Sequence, residues 1–109
     1  MDINFSVSKM HNDVTGNFRV STIAENIHMK DYALEYYNKY FKNDNEIHAI
    51  VNFNTKTTTA ISDFGLGLLD VRVHEYINKE EHSAKEIFGG MVLEEYYVNK
   101  QTGEIEKVR

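Results

Sequence analysis

Cysteine and proline are absent from this chain. Without cysteine there is no disulfide, no thiolate nucleophile and no thiolate metal site, and the redox compartment is left open. No apolar run is long enough to span a bilayer, and the opening MDINFSVSKMHNDV lacks the apolar core of a signal peptide. A cytoplasmic protein with no membrane segment is the expectation, either as a whole chain or as a domain cut from a longer one. No run of five like charges occurs, and no internal repeat or linker is visible. Phosphate contacts need a concentrated basic surface, so direct nucleic-acid binding is not expected.

The catalytic vocabulary is equally thin. There is no GxSxG, no phosphate-cradling glycine loop and no HExxH. His11, His28, His48, His74 and His82 never recur at the i, i+3 or i, i+4 spacing of ligands on one helix face. A metal site would have to be assembled across strands, for instance from His48, His74 and Asp70. Glu80/Glu81 and Glu94/Glu95 are neighbours in sequence, and neighbours on a strand point to opposite faces and share no substrate. No catalytic residue, metal or cofactor is assigned, and the chain is expected not to be an enzyme.

What remains is an ordinary globular composition. The 109 residues, 41% hydrophobic and 12% aromatic, fit one domain over residues 1–109. The net charge of −5 comes from 17 acidic against 12 basic residues. Glu80, Glu81, Glu86, Glu94, Glu95, Glu104 and Glu106 gather in the last third, diluted by lysines, and read as a solvated surface more readily than as an imitation of nucleic acid.

The densest β-type stretch runs from Glu46 to Ile77. Ile47, Ala49, Val51 and Phe53 alternate with His48, Ile50 and Asn52, and Leu69, Val71 and Val73 alternate with Asp70, Arg72 and His74. The two runs are expected to be neighbouring antiparallel strands, with Gly65 and Gly67 marking a bulge or bend. Earlier, Ile3, Phe5 and Val7 predict a first strand, Asn12 to Asn17 a turn, and Phe18, Val20 and Thr22 a second strand. Asp31 is placed to cap a helix over Tyr32 to Phe41, ended by Lys42, Asn43, Asp44 and Asn45. Its spacing puts Ala33, Leu34, Tyr36, Tyr37, Tyr40 and Phe41 on one arc. Later, Ala84, Ile87 and Phe88 suggest a helical turn stopped by Gly89 and Gly90, Met91 to Val98 a strand, and Asn99 to Gly103 a hairpin into Ile105 and Val108. The expected fold is α+β: one main helix packed on a curved antiparallel sheet in the order β-β-α-β-β-β-β, the two-layer logic of cystatin-like and nuclear-transport-factor-like folds.

The segments NDVTGNFRVSTIAENI, DYALEYYNKYF, EIHAIVNFNTKTTT, LLDVRVHEYI and EEHSAKEIFGGMVLEEYYVN together resemble an uncharacterised domain of Firmicutes and mobile-element proteins. That domain is often the C-terminal module of longer hypothetical or membrane-linked proteins. The resemblance covers nearly the whole chain and brings no activity or catalytic residue with it. In size and acidity the chain also resembles small inhibitors of the anti-CRISPR type, without a shared motif.

Seven tyrosines are the most unusual feature of the composition. Tyrosine buries a ring and leaves a hydroxyl at the rim, and it is enriched where a partner covers a surface. The strand carrying Asp70, Arg72, His74 and Tyr76 concentrates acid, base, imidazole and phenol on one side, and Tyr96 stands among charged neighbours. These five residues are the expected partner-binding surface of a non-enzymatic protein-binding module, acting as an inhibitor of a host or defence protein. The alternative is a small-ligand carrier with an aromatic pocket between helix and sheet, lined by Tyr36, Tyr40 and Phe64. An edge strand is also expected to be free to pair with a second copy across a two-fold axis.

Overall fold

A computed structural model describes residues 6–12, 16–41, 46–83 and 85–109. The expectations for Ile3 and Phe5, for the turn at Asp13 and Thr15, for the helix end at residues 42–45 and for Ala84 lie outside these residues. Among the described residues seven strands form one sheet in sequence order: β1 (Ser6–Asn12), β2 (Gly16–Ile23), β3 (Ile47–Asn52), β4 (Thr57–Gly65), β5 (Leu68–Glu75), β6 (Val92–Asn99) and β7 (Ile105–Lys107).

The α+β expectation of one main helix on an antiparallel sheet is overturned. The described residues form a mixed sheet with one short α-helix, α1 (Ala33–Tyr36). A 3-10 turn, Met29–Asp31, precedes it and a π turn, Tyr37–Phe41, follows. The expected cap fails as well: Asp31 lies inside the 3-10 turn, and no side chain caps α1. The segment is rich in ring residues of moderate helix propensity, and without a cap little holds a long regular helix together. Tertiary contacts hold it in place, since Ala33 and Tyr36 are buried against the sheet while Glu35, Asn38 and Lys39 face water.

β2 and β3 run parallel, and every other neighbouring pair is antiparallel. The helical segment between Ile23 and Ile47 is a crossover, and a chain that returns through such a connection starts its next strand in the same direction. Ile47 to Asn52 and Leu68 to Glu75 are not neighbours either. The threonine-rich stretch between them is a full strand, β4, which pairs with both. Gly65 and Gly67 belong to the tight β4–β5 turn, beside a register shift at Asp63 and Gly65.

Strand alternation gives the sheet two covered faces. On the helix face, Ile50, Ile61, Leu69, Val71, Tyr96 and Val98 pack with Ile23, Met29, Ala33 and Tyr36. On the other face, Val20, Ala49 and Val51 pack with Ile87 from the connection between β5 and β6. The described part of that connection, residues 77–83 and 85–90, is a strap lying over one end of this second face. Its anchor is Glu80, fully buried, whose carboxylate accepts from Thr58 Oγ1 at 2.5 Å and from the backbone N–H groups of Ile77 at 3.0 Å and Phe88 at 2.9 Å. Where the strap rejoins the sheet, a Cβ on Gly90 would sit 1.8 Å from the Glu75 carbonyl oxygen. Backbone cannot yield as a side-chain tip does, so Gly90→Ala is expected to destabilise the fold by about 2–3 kcal/mol. Urea denaturation of the two proteins measures this.

Candidate functional site

The second face has a strapped end and an open end, and they divide the expected partner-binding residues. At the strapped end His74 is buried, with Nδ1 3.1 Å from the Gly90 carbonyl and its ring 5.5 Å from that of Phe88. The carbonyl can only accept, so Nδ1 donates. Tyr76 lies just beyond β5, packed edge-on to Phe53, and donates its hydroxyl to Glu81 at 2.5 Å. Its phenol is pushed above the usual range, first by burial and then by the Glu81 carboxylate. Tyr96 is on the opposite face, buried in the helix-side core and donating to Glu94 at 2.7 Å. Burial and the Glu94 carboxylate push it up to about 12. Of the five residues expected on one surface, Asp70 and Arg72 alone remain on open sheet.

These two join a network that sequence did not suggest. Arg72 Nη2 reaches Asp70 Oδ2 at 3.4 Å and Glu95 Oε2 at 3.3 Å, and Arg109 Nε reaches Glu95 Oε1 at 3.1 Å. The acids lie inside and the guanidiniums outside: side-chain exposure is 13% and 9% for Asp70 and Glu95 against 41% and 59% for Arg72 and Arg109. The two carboxyls crowd each other in this half-dry setting. Burial first, and then the hydrogen bond and negative charge of Glu95, raise Asp70 to about 6, while Glu95 is held below the usual range by its hydrogen bond from Asp70 and by Arg72 and Arg109. Asp70 Oδ1 and Arg72 Nε are buried without a partner.

The sign of the resulting pH effect follows from the direction of the Asp70 shift. A carboxyl whose folded value lies above its unfolded one binds more protons in the folded state between the two, so its contribution to stability falls as pH rises from about 4 to about 6. Asp70→Asn keeps the shape without the charge. It is expected to be more stable than the parent at pH 8 by about 1–2 kcal/mol, with the advantage shrinking below pH 6. Denaturant unfolding at pH 5 and pH 8 reads the difference.

Beyond this network, at the tip of the β4–β5 hairpin, the face turns apolar. Phe64 is 49% and Leu66 92% exposed. The Phe64 ring lies 5.0 Å from that of Tyr97, which pairs with Asp70 on β5. A shallow pocket of about 400 Å³ lined by Leu68, Tyr97 and Ile105 adjoins them. Leu66 and Gly67 close the hairpin as a two-residue loop with φ of 57° and 77°. Positive φ at both central positions is the type I′ arrangement, which favours asparagine followed by glycine and penalises a leucine. The tip is braced nevertheless. Asp63 accepts from the Gly65 N–H at 3.0 Å, Lys100 Nζ lies 3.0 Å from both Asp63 oxygens, and the Lys100 N–H reaches the Gly67 carbonyl at 2.9 Å. Asp63 is held below its usual range, first by the Gly65 N–H and then by Lys100.

No protein-family model, curated protein or solved structure matches the chain. The site is therefore read from its own chemistry.

The remaining expected residues are dispersed. Tyr36 is buried, its hydroxyl 2.7 Å from His48 Nδ1 and 3.0 Å from Ser21 Oγ, and its ring lies 4.9 Å from that of Tyr40 at a tilt of 33°. Phe64 is at the hairpin tip on the other face. The three do not enclose a pocket together, because Tyr36 and Tyr40 lie on the helix face and Phe64 packs with Tyr97 on the other. His48 and His74 occupy opposite faces, so the cross-strand site with Asp70 does not form. Among the described residues no group of three or more His, Asp and Glu side chains gathers in a metal-binding arrangement. Glu80 and Glu95 are buried, so the acidic last third is not one continuous anionic surface. No helix of the described residues is long and apolar enough to cross a membrane.

Edge strand β7 bears on the expected two-fold pairing. A symmetric antiparallel pair sets some residue opposite its own copy, because the axis keeps each side chain on its own face. Centred on Ile105, Glu104 faces Glu106; centred on Val108, Lys107 faces Arg109; the other centres set Glu106 or Lys107 against itself. Each register opposes like charges, which is destabilising across a strand pair.

Proposed function

We propose that this chain is a non-enzymatic protein-binding module that docks through the open end of its second sheet face, with Leu66, Phe64 and Tyr97 as apolar anchors and Arg72 and Arg109 as the polar rim. The observation that carries this reading is Leu66: a large apolar side chain 92% exposed, in a left-handed conformation that leucine disfavours, on a turn braced from three sides. Exposure and strain both cost free energy in the isolated protein, and contact with a partner would offset the exposure. A rigid tip also loses little entropy on docking. Aromatic and arginine side chains beside it are the types that dominate interface energetics. Docking of this kind inhibits a partner when it covers that partner's working surface, which is how an inhibitor of a host or defence protein would act.

The test is retention of partner proteins from host extract by the immobilised chain and by its Leu66→Asn variant. Specific loss of a retained protein by a variant that folds at least as stably supports the reading. Equal retention by both overturns it.

A further inference from the structure

The helix face carries a second feature, remote from the hairpin tip and unused by the docking reading: a pocket of about 330 Å³ where the chain leading into the helical segment crosses β4, β5 and β6. Strand pairing builds its floor, since Thr59 of β4 stands beside Val73 of β5, and Val73 beside Glu94 of β6. Ile27 and Met29 form an apolar wall, and Leu93 adds to the lining. Lys30 and Glu94 bring opposite charges to the lining, with His28 beside them. Glu94 accepts from the Tyr96 hydroxyl at 2.7 Å, and Lys30 Nζ lies 5.6 Å from the Tyr96 ring centroid, so one buried phenol orders both. Their other partners are loose: Lys107 lies 3.7 Å from Glu94, and the exposed Asp31 lies 3.3 Å from Lys30.

We propose that this pocket binds a small zwitterion with an apolar side chain, of the class of free aliphatic α-amino acids. The ligand ammonium meets Glu94, its carboxylate meets Lys30, and its side chain lies among Ile27, Met29, Val73 and Leu93. A ligand with one charge would cover the oppositely placed protein charge without pairing it, and an unpaired desolvated charge is costly. A ligand with both charges pairs each. The volume lies at the small end of ligand sites, which suits a molecule of this size. Thr59 adds a hydroxyl to the lining, and Thr57 shares its own with Thr55 at 2.8 Å.

Titration of the isotope-labelled protein with L-leucine, followed by amide chemical shifts, tests the proposal. Shifts centred on Thr59, Val73 and Leu93 are expected at millimolar ligand, with at least tenfold weaker response to 4-methylpentanoate, 3-methylbutylamine and glucose. Glu94→Gln keeps an acceptor for Tyr96, and both it and Lys30→Met should weaken leucine binding tenfold or more. Val73→Phe should fill the pocket and abolish binding with both charges in place. Leu66→Asn should leave leucine binding unchanged, so failure here and failure of the docking reading are separable. Absence of shifts, or equal response to any of the three control compounds, overturns the proposal.

Discussion

Replacing Glu80 by alanine is expected to cost about 3–5 kcal/mol, a large share of the stability of a domain this size. The carboxylate is fully buried and accepts from Thr58 Oγ1 and from the N–H groups of Ile77 and Phe88. Alanine leaves three donors without an acceptor and opens a void beside them. Two of those donors belong to the strap, so the loss is local before it is global. The strap would lift, His74 and Tyr76 would gain exposure, and amide exchange at Ile77 and Phe88 would accelerate well before the central strands open. Glu80→Gln retains an acceptor oxygen and should fall between the parent and alanine. Urea denaturation with residue-resolved hydrogen exchange checks both, and a loss below about 1 kcal/mol would mean that water replaces the carboxylate.

Leu66→Asn should move stability and binding in opposite directions. Asparagine is at home at the first central position of a type I′ turn, so relief of the backbone conflict is expected to raise stability by about 0.5–1 kcal/mol. The same change removes the most exposed large apolar side chain among the described residues. Loss of an interface anchor of this kind costs about 2 kcal/mol, or roughly thirtyfold in affinity for whatever partner is retained. A surface residue with no role would show only the first effect. A residue needed by the fold would show a loss of stability instead of a gain. Thermal unfolding together with partner titration separates these outcomes.

The strands could be read along the chain because their signal is local. Alternation of period two in Ile47 to Phe53 and in Leu69 to Val73 marks extended backbone whatever lies beside it, although His48 to Asn52 of β3 are buried on both faces, and Gly103 announces its hairpin in the same way. The helix was overread for a related reason. An arc of tyrosines satisfies a helical period, but period carries no information about whether a cap forms or whether the rings are drawn into bonds with His48 and Ser21. The parallel β2–β3 pairing was implicit in the crossover and missed, because alternation within a strand does not reveal the direction of its neighbour.

The candidate site was less legible still. Asp70 and Arg72 could be placed on one face from spacing, yet Glu95 and Arg109 lie 23 and 37 positions beyond Arg72, and their approach depends on the β5–β6 register and on the chain end beyond β7. Tyr96 has charged neighbours in sequence, which suggests an exposed position, yet it pairs with Val71 and turns with it into the helix-side core. Glu80 carried no signal at all: a glutamate in a polar stretch looks solvated until three donors surround it. Gly65 and Gly67 mark a bend, and the leucine between them is the one local sign of an apolar side chain held on a turn.

Composition and alternation were enough to mark a cysteine-free chain rich in strands, because burial periodicity and residue chemistry are properties of short stretches. Which face each strand turns to the strap, which carboxylate is sealed inside and which leucine is left in water all depend on contacts between residues far apart in the chain. Those contacts arise only once the sheet has closed its register.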